Sequence, residues 1–237
     1  MQRRLVRKLD LEILLSKITP HPQPRAYLEQ YTIMAETAAE LLYLAAYTYG
    51  DIIGKTVVDL GCGTGRLAIG SAILGATDVV AVDIDSVAIR TASSTAKRLR
   101  VDDSVQWITA DLSALQGDFD TVIQNPPFGV QQVKADRVFL QKALEVGCRV
   151  YSLHRSSREN IMMLKKSSWR RTSSSTLVPP SPFIKRFIER AGASIKAVYG
   201  MKTMIPHMFD FHTKPKHEFF VDLYIIETLR GKDRSDG

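Results

Sequence analysis

Thr56-Val57-Val58-Asp59-Leu60-Gly61-Cys62-Gly63-Thr64-Gly65 decides how the rest of this chain is read. The first five residues are β-branched or apolar apart from one carboxylate, and they read as a buried strand. Three alternate glycines follow. They admit backbone angles that a Cβ forbids and let the chain pass close to a ligand. Arg66 to Leu74 then reads as a helix. A dinucleotide fingerprint needs its last glycine one place later, so this turn does not carry one.

Outward from this unit the alternation repeats. Asp78 to Val82 is a second strand, ended by Asp83-Ile84-Asp85, and Ser86 to Arg100 is helical. Val105 to Thr109 is a third strand, ended by Ala110-Asp111-Leu112. Phe119 to Ile123 is a fourth, stopped at Asn125-Pro126-Pro127-Phe128, where two prolines forbid further ladder donation. A helix over Arg137 to Gly147 and a fifth strand over Arg149 to His154 complete the series. Such alternation predicts a doubly wound, mostly parallel sheet. Right-handed crossovers place every carboxyl end on one edge, which collects Gly61 to Gly65, Asp83, Asp111 and Asn125.

The flanks read differently. Arg3 to Ile18 predicts an amphipathic helix with Leu5, Leu9, Ile13 and Leu14 on one face, within an N-terminal extension over 1–27. Alternating prolines over Thr19 to Pro24 break it, and a long helix is expected over Ile33 to Tyr49, ended by Gly50. Residues 156–182 are basic and serine-rich and read as a mobile surface insertion outside the core. A helix over Phe183 to Ala191 and strands over Ser194 to Tyr199 and Phe219 to Thr228 follow, the strands as an antiparallel hairpin at the sheet edge. The tail over 231–237 is polar and reads as flexible. One domain over 1–237 is expected.

Composition excludes several classes. No apolar run reaches the length of a membrane span. Asp10, Glu12 and Lys17 interrupt what a signal peptide keeps apolar, so the protein is read as cytoplasmic, with no membrane partner. Two cysteines, Cys62 and Cys148, make neither a disulfide framework nor a zinc set. His207, His212 and His217 lack metal spacing, and no metal is expected. A net charge of +7 favours an anionic partner, nucleic acid first.

The edge residues carry the chemistry. Asn125 accepts and donates at once, and with the Pro126 carbonyl it can take both N–H groups of a planar amine. Phe128 can stack on a base. A carboxylate at Asp83, about twenty residues past the glycine turn, can take both hydroxyls of a ribose. Asp111 can accept from an adenine amino group, with Leu112 supplying a backbone N–H. Asp85 reads as a helix N-cap, and Cys62 as a small buried thiol.

Taken together, the Asp59–Gly65 turn, Asp83, Asp111 and Asn125-Pro126-Pro127-Phe128 resemble class I S-adenosylmethionine (SAM) methyltransferases that act on amino groups. Leu28-Glu29-Gln30-Tyr31, Gly70 to Ala76, Phe119 to Ile123, Ala135-Asp136-Arg137 and Val150 to His154 narrow the resemblance to the methyltransferase-like-5 family. It implies a Rossmann-like fold with a seven-stranded sheet and reversed last strand, SAM as donor, and adenine N6 of small-subunit ribosomal RNA as acceptor. The donor set is expected at Gln30, Thr32, Asp59, Gly61, Cys62, Gly63, Thr64, Gly65, Asp83, Ile84, Asp111 and Leu112, and the catalytic set at Asn125, Pro126, Pro127 and Phe128. The family pattern has Pro-Thr after Gln-Tyr, whereas Thr32-Ile33 stands here. RNA contacts are expected at Lys165, Lys166, Arg170, Arg171, His212, Lys214 and Lys216. A small zinc-binding activator protein is the implied partner. The rival readings are a methyltransferase of guanine or glutamine amino groups, and a non-catalytic RNA-binding protein.

Overall fold

The computed structural model describes residues 5–25, 27, 29–30, 32–128, 135–166, 175–206 and 216–231. Among the expected site residues, Arg170, Arg171, His212 and Lys214 lie outside them. So do His207 and the tail past residue 231.

An eight-stranded sheet carries the molecule, in the order β3-β2-β1-β4-β5-β8-β7-β6. Its first five strands are β1 (Thr56–Leu60), β2 (Asp78–Asp83), β3 (Val105–Thr109), β4 (Phe119–Gln124) and β5 (Gly147–Arg155). All five run parallel. The crossover helices are α3 (Arg66–Leu74), α4 (Ser86–Leu99) and α5 (Ala135–Val146). β1 pairs with β2 on one side and with β4 on the other, so the chain changes winding direction there. That crevice, outside the carboxyl ends of the strands, is where open α/β sheets bind ligands.

The last strand, β8 (Lys216–Glu227), runs antiparallel to β5 and to β7 (Ser194–Pro206), so it is reversed as expected. It does not lie at the edge: it is inserted between β5 and β7, and Tyr224, Ile225 and Ile226 are fully buried. The edge belongs to β6 (Ser175–Leu177), a three-residue strand that brings the count to eight rather than seven.

Helices cover both faces. On one, α1 (Lys8–Ser16), α2 (Ala35–Tyr43) and α3 pack over the parallel strands, with Leu11, Leu15, Leu41, Leu42 and Ile69 fully buried. Each such side chain removed from water contributes about 1.5–3 kcal/mol. α2 passes into a wider π-helical turn over Leu44–Thr48 before Gly50, whose φ of 72° ends the element. The opposite face is closed by α5, α6 (Arg158–Lys166) and α7 (Pro182–Arg190) through Leu140, Leu164, Ile184 and Ile188.

Two expectations are corrected here. The buried stripe of α1 is Leu11 and Leu15, continued by Ile18, while Leu5, Leu9 and Ile13 face solvent. The N-terminal helix is therefore part of the core. The segment read as a surface insertion likewise supplies α6 and β6, and Leu164 and Asn160 are buried. Asn160 Nδ2 donates to Asp222 Oδ2 of β8 at 2.7 Å and to the Pro179 carbonyl at 3.0 Å, which ties both ends of the segment to the sheet. No helix among the described residues is long and apolar enough to cross a membrane.

Candidate active site

A cavity of about 340 Å³ opens at the β1/β4 crevice. Its wall gathers residues far apart in sequence: Gly61 to Thr64 after β1, Asp83 and Ile84 after β2, Asp111 and Leu112 after β3, and Asn125 and Pro127 after β4. Gln30, Thr32 and Asp59 also line it. Gly65, Pro126 and Phe128 do not, and Lys165 and Lys166 end α6 instead.

The glycines divide the work of the turn. Gly63 has φ 53°, and a Cβ there would meet no atom within 4 Å, so it is the position open to a ligand. At Gly65 a Cβ would stand 2.6 Å from the Trp107 ring, so this glycine serves packing between the turn and β3.

Each aspartate of the strand edge is held by backbone amides. Asp59 Oδ2 accepts from the Ala68 amide at 2.9 Å, tying β1 to the first turn of α3. Burial raises its carboxyl to a pKa of about 8. Asp83 accepts from the Gly63 amide at 2.7 Å and from the Asp85 amide at 2.8 Å, and burial pushes it upward. Asp85 caps α4 through Val87 N at 2.8 Å. Asp111 accepts from Ser113 N at 2.8 Å and lies at the surface; its hydrogen bonds with Ser113 hold it below the usual carboxylate range. Burial pushes the Cys62 thiol well up, which keeps it an inert packing group.

From the N-terminal segment, His21, Tyr27, Glu29 and Gln30 also line the cavity. His21 Nδ1 accepts from the Gln23 amide at 3.0 Å, so Nε2 carries the proton and faces Asp85 Oδ2 at 3.2 Å. Gln30 Nε2 donates to the same oxygen at 2.8 Å, while its Oε1 accepts from the Arg25 amide at 2.7 Å. One Nε2 hydrogen of Gln30 is left for a ligand. Glu29 is buried with φ 50°, a left-handed conformation uncommon outside glycine. Its Oε2 accepts from the Phe128 amide at 2.7 Å. Consecutive residues thus fasten one segment to the β2 edge and to the turn after β4.

Asn125 makes no side-chain hydrogen bond to a described residue. It lines the large cavity and a second, smaller one of about 30 Å³, shared with Thr32, Phe128, Thr203 and Phe219. The Phe128 and Phe219 rings stand 5.1 Å apart at 42°, and the Arg155 guanidinium lies 5.8 Å from the Phe219 ring.

Sequence reading missed His21, Arg66, Phe139 and Phe219 at this site, and left Glu29 without a role. Phe139 repeats a helical apolar pattern that fits core as well as cavity. His21 and Glu29 belong to a proline-broken stretch whose partners lie 64 and 99 residues away, and no local signal reports that.

Residues 37–148 match the Methyltransferase small domain family. An uncharacterized protein of Methanocaldococcus jannaschii is 37% identical over 95% of this chain and 96% of its own length. The rRNA N(6)-adenosine-methyltransferase METTL5 of Danio rerio is 36% identical over 68% of this chain and 80% of its own. A crystal structure from Pyrococcus horikoshii, 35% identical, covers 95% of this chain and 99% of its own with a TM-score of 0.79. The chain therefore belongs to the methyltransferase-like-5 family of class I methyltransferases, with S-adenosylmethionine as the methyl donor.

Proposed function

We propose that the protein methylates the N6 amino group of an adenine in RNA, with small-subunit ribosomal RNA as the substrate. The observation that carries this reading is Asn125, bonded through its side chain to no described residue, walling the same cavity as Gly63 and Asp83. The METTL5 relatives are named for rRNA N6-adenosine methylation, which supports it.

The residues present fit the donor. Gly63 leaves open space where a Cβ would stand, and Asp83 keeps lone pairs for ribose hydroxyls beyond its two amide bonds. In this reading Asp111 and Leu112 would hold the donor's adenine, Gly61 to Thr64 its amino-acid arm, and Gln30, Thr32 and Ile84 would complete the donor site. The donor supplies an electrophilic methyl group on a sulfonium.

The acceptor amine has a lone pair delocalised into its ring. Asn125 Oδ1 and the Pro126 carbonyl accept its two N–H bonds and turn the lone pair toward the methyl group. With the donor bound, its sulfonium would supply the methyl group to this nitrogen, and the methylated amine would give its extra proton to solvent. Catalysis here is chiefly positioning. A base stacked in a duplex does not reach the crevice, so the target is unpaired or flipped out. The smaller cavity, about 30 Å³, has room for a water or two but not for a purine. Base entry therefore separates the Phe128–Phe219 pair, and both rings then face the base.

Lys165 and Lys166 end α6, Lys216 begins β8, and together with the basic residues at 170, 171, 212 and 214 they are proposed to hold phosphate. A small zinc-binding activator is the proposed partner, tested by co-purification and by its effect on SAM affinity. The reaction itself is tested with labelled SAM and ribosomal RNA, followed by digestion to nucleosides. N6-methyladenosine is the expected product; N2-methylguanosine would overturn the reading.

A further inference from the structure

Arg66 opens α3, one place past the glycine turn, and walls the large cavity. Its Nη1 donates to the Ile33 carbonyl, while its Nε is buried without a partner. No carboxylate among the described residues forms an ion pair with it. Glu36 is near enough to favour its charge but not to pair. Other inward cations are matched: Arg149 stands 3.2 Å from Asp51 and 3.1 Å from Glu227, and Lys8 stands 2.6 Å from Glu40. Burial lowers the Arg66 pKa only to about 10, so the charge persists at neutral pH.

Arg66 is partly buried, and a cation drawn out of water without an anion is costly. Asp59 and Asp83 line the same cavity, and neither forms an ion pair with it. A guanidinium offers five donors in a planar fork that matches a carboxylate. The first turn of α3 adds partial positive charge to the same wall. The missing partner is thus a small planar anion brought by the ligand. Of the donor's adenine, ribose, sulfonium, ammonium and carboxylate, only the last is anionic.

We infer that Arg66 binds the amino-acid carboxylate of the methyl donor and makes the site selective for a carboxylated over a decarboxylated donor. The inference rests on the donor occupying this cavity, as proposed above.

Calorimetry with SAM, S-adenosylhomocysteine and decarboxylated SAM tests it. Arg66→Met keeps the length of the stem and removes the charge. It is expected to weaken SAM and S-adenosylhomocysteine by about 10- to 100-fold, the range for a charged hydrogen bond, and to leave decarboxylated SAM within about twofold of wild type. Arg66→Lys keeps the charge without the fork and is expected to lie between, so it carries the test if Arg66→Met does not fold. Equal weakening of all three ligands, or unchanged selectivity in both variants, overturns the inference. Failure of the underlying placement is distinct: Asp83→Ala would then leave SAM affinity unaltered.

Discussion

The two halves of the site are built on opposite plans. Along β1, β2 and β3 every edge carboxylate already has its backbone partners: Ala68 N on Asp59, Gly63 N on Asp83, Val87 N on Asp85 and Ser113 N on Asp111. After β4 the key amide, Asn125, is bonded to no described residue. Two prolines and one long-range bond from Phe128 N to Glu29 fix the turn instead. The donor half is preorganised by local backbone. The acceptor half is held stiffly while its amide is bonded to no described residue, which is what a site completed by its substrate requires.

That contrast is broken most directly at Asn125. Asn125→Ala is expected to lower turnover by about 100- to 1,000-fold, as for loss of one preorganised hydrogen-bonding group, while SAM affinity by calorimetry stays within a few-fold. Asp83→Ala should do the reverse. SAM affinity falls by about 10- to 100-fold, and turnover at saturating SAM is affected less; equal losses in both parameters would erase the distinction between halves. Glu29→Ala frees the Phe128 amide, and kcat/KM for RNA is expected to drop about 10-fold. Under single-turnover conditions that loss should sit in the chemical step and not in RNA binding.

The smallest effect concerns pH. The Asp59 carboxyl has a pKa of about 8 in the fold against an ordinary 3.8. Its protonated form is the one the fold favours, so its contribution is complete below pH 3.8 and is lost as pH rises through 8. His154 acts oppositely: burial lowers it from 6.5 to about 4, and its contribution is lost as pH falls through that window. Between pH 6.5 and 8 the decline belongs to Asp59. Tm should fall over that range in wild type, and Asp59→Asn should flatten the curve. A wild-type Tm independent of pH there would refute the assignment.

Period-two and apolar-run signals located β1 to β5 within a residue or two, because fully buried parallel strands are continuous apolar runs. The helix faces were less legible. α1 carries apolar residues nearly all round, Leu9, Leu11, Ile13, Leu14 and Leu15, and only the position of α2 and α3 decides that Leu11 and Leu15 are buried. β6 is too short to leave a pattern. At the site, edge residues were legible because each ends a strand. Arg66 and Phe219 were not, since their meaning depends on which neighbours are missing or present across the sheet.

Their place on the cavity wall makes Glu29 and Gln30 more than two contacts. One grips the acceptor turn through Phe128 N and the other grips Asp85, whose own amide holds Asp83. Two binding events that order the same short segment share its ordering cost, so they are thermodynamically linked. Reciprocity then sets a constraint on the whole enzyme. Whatever factor donor binding adds to RNA affinity, RNA must return to donor affinity, and any change that a substitution at Glu29 makes in one factor it must make equally in the other.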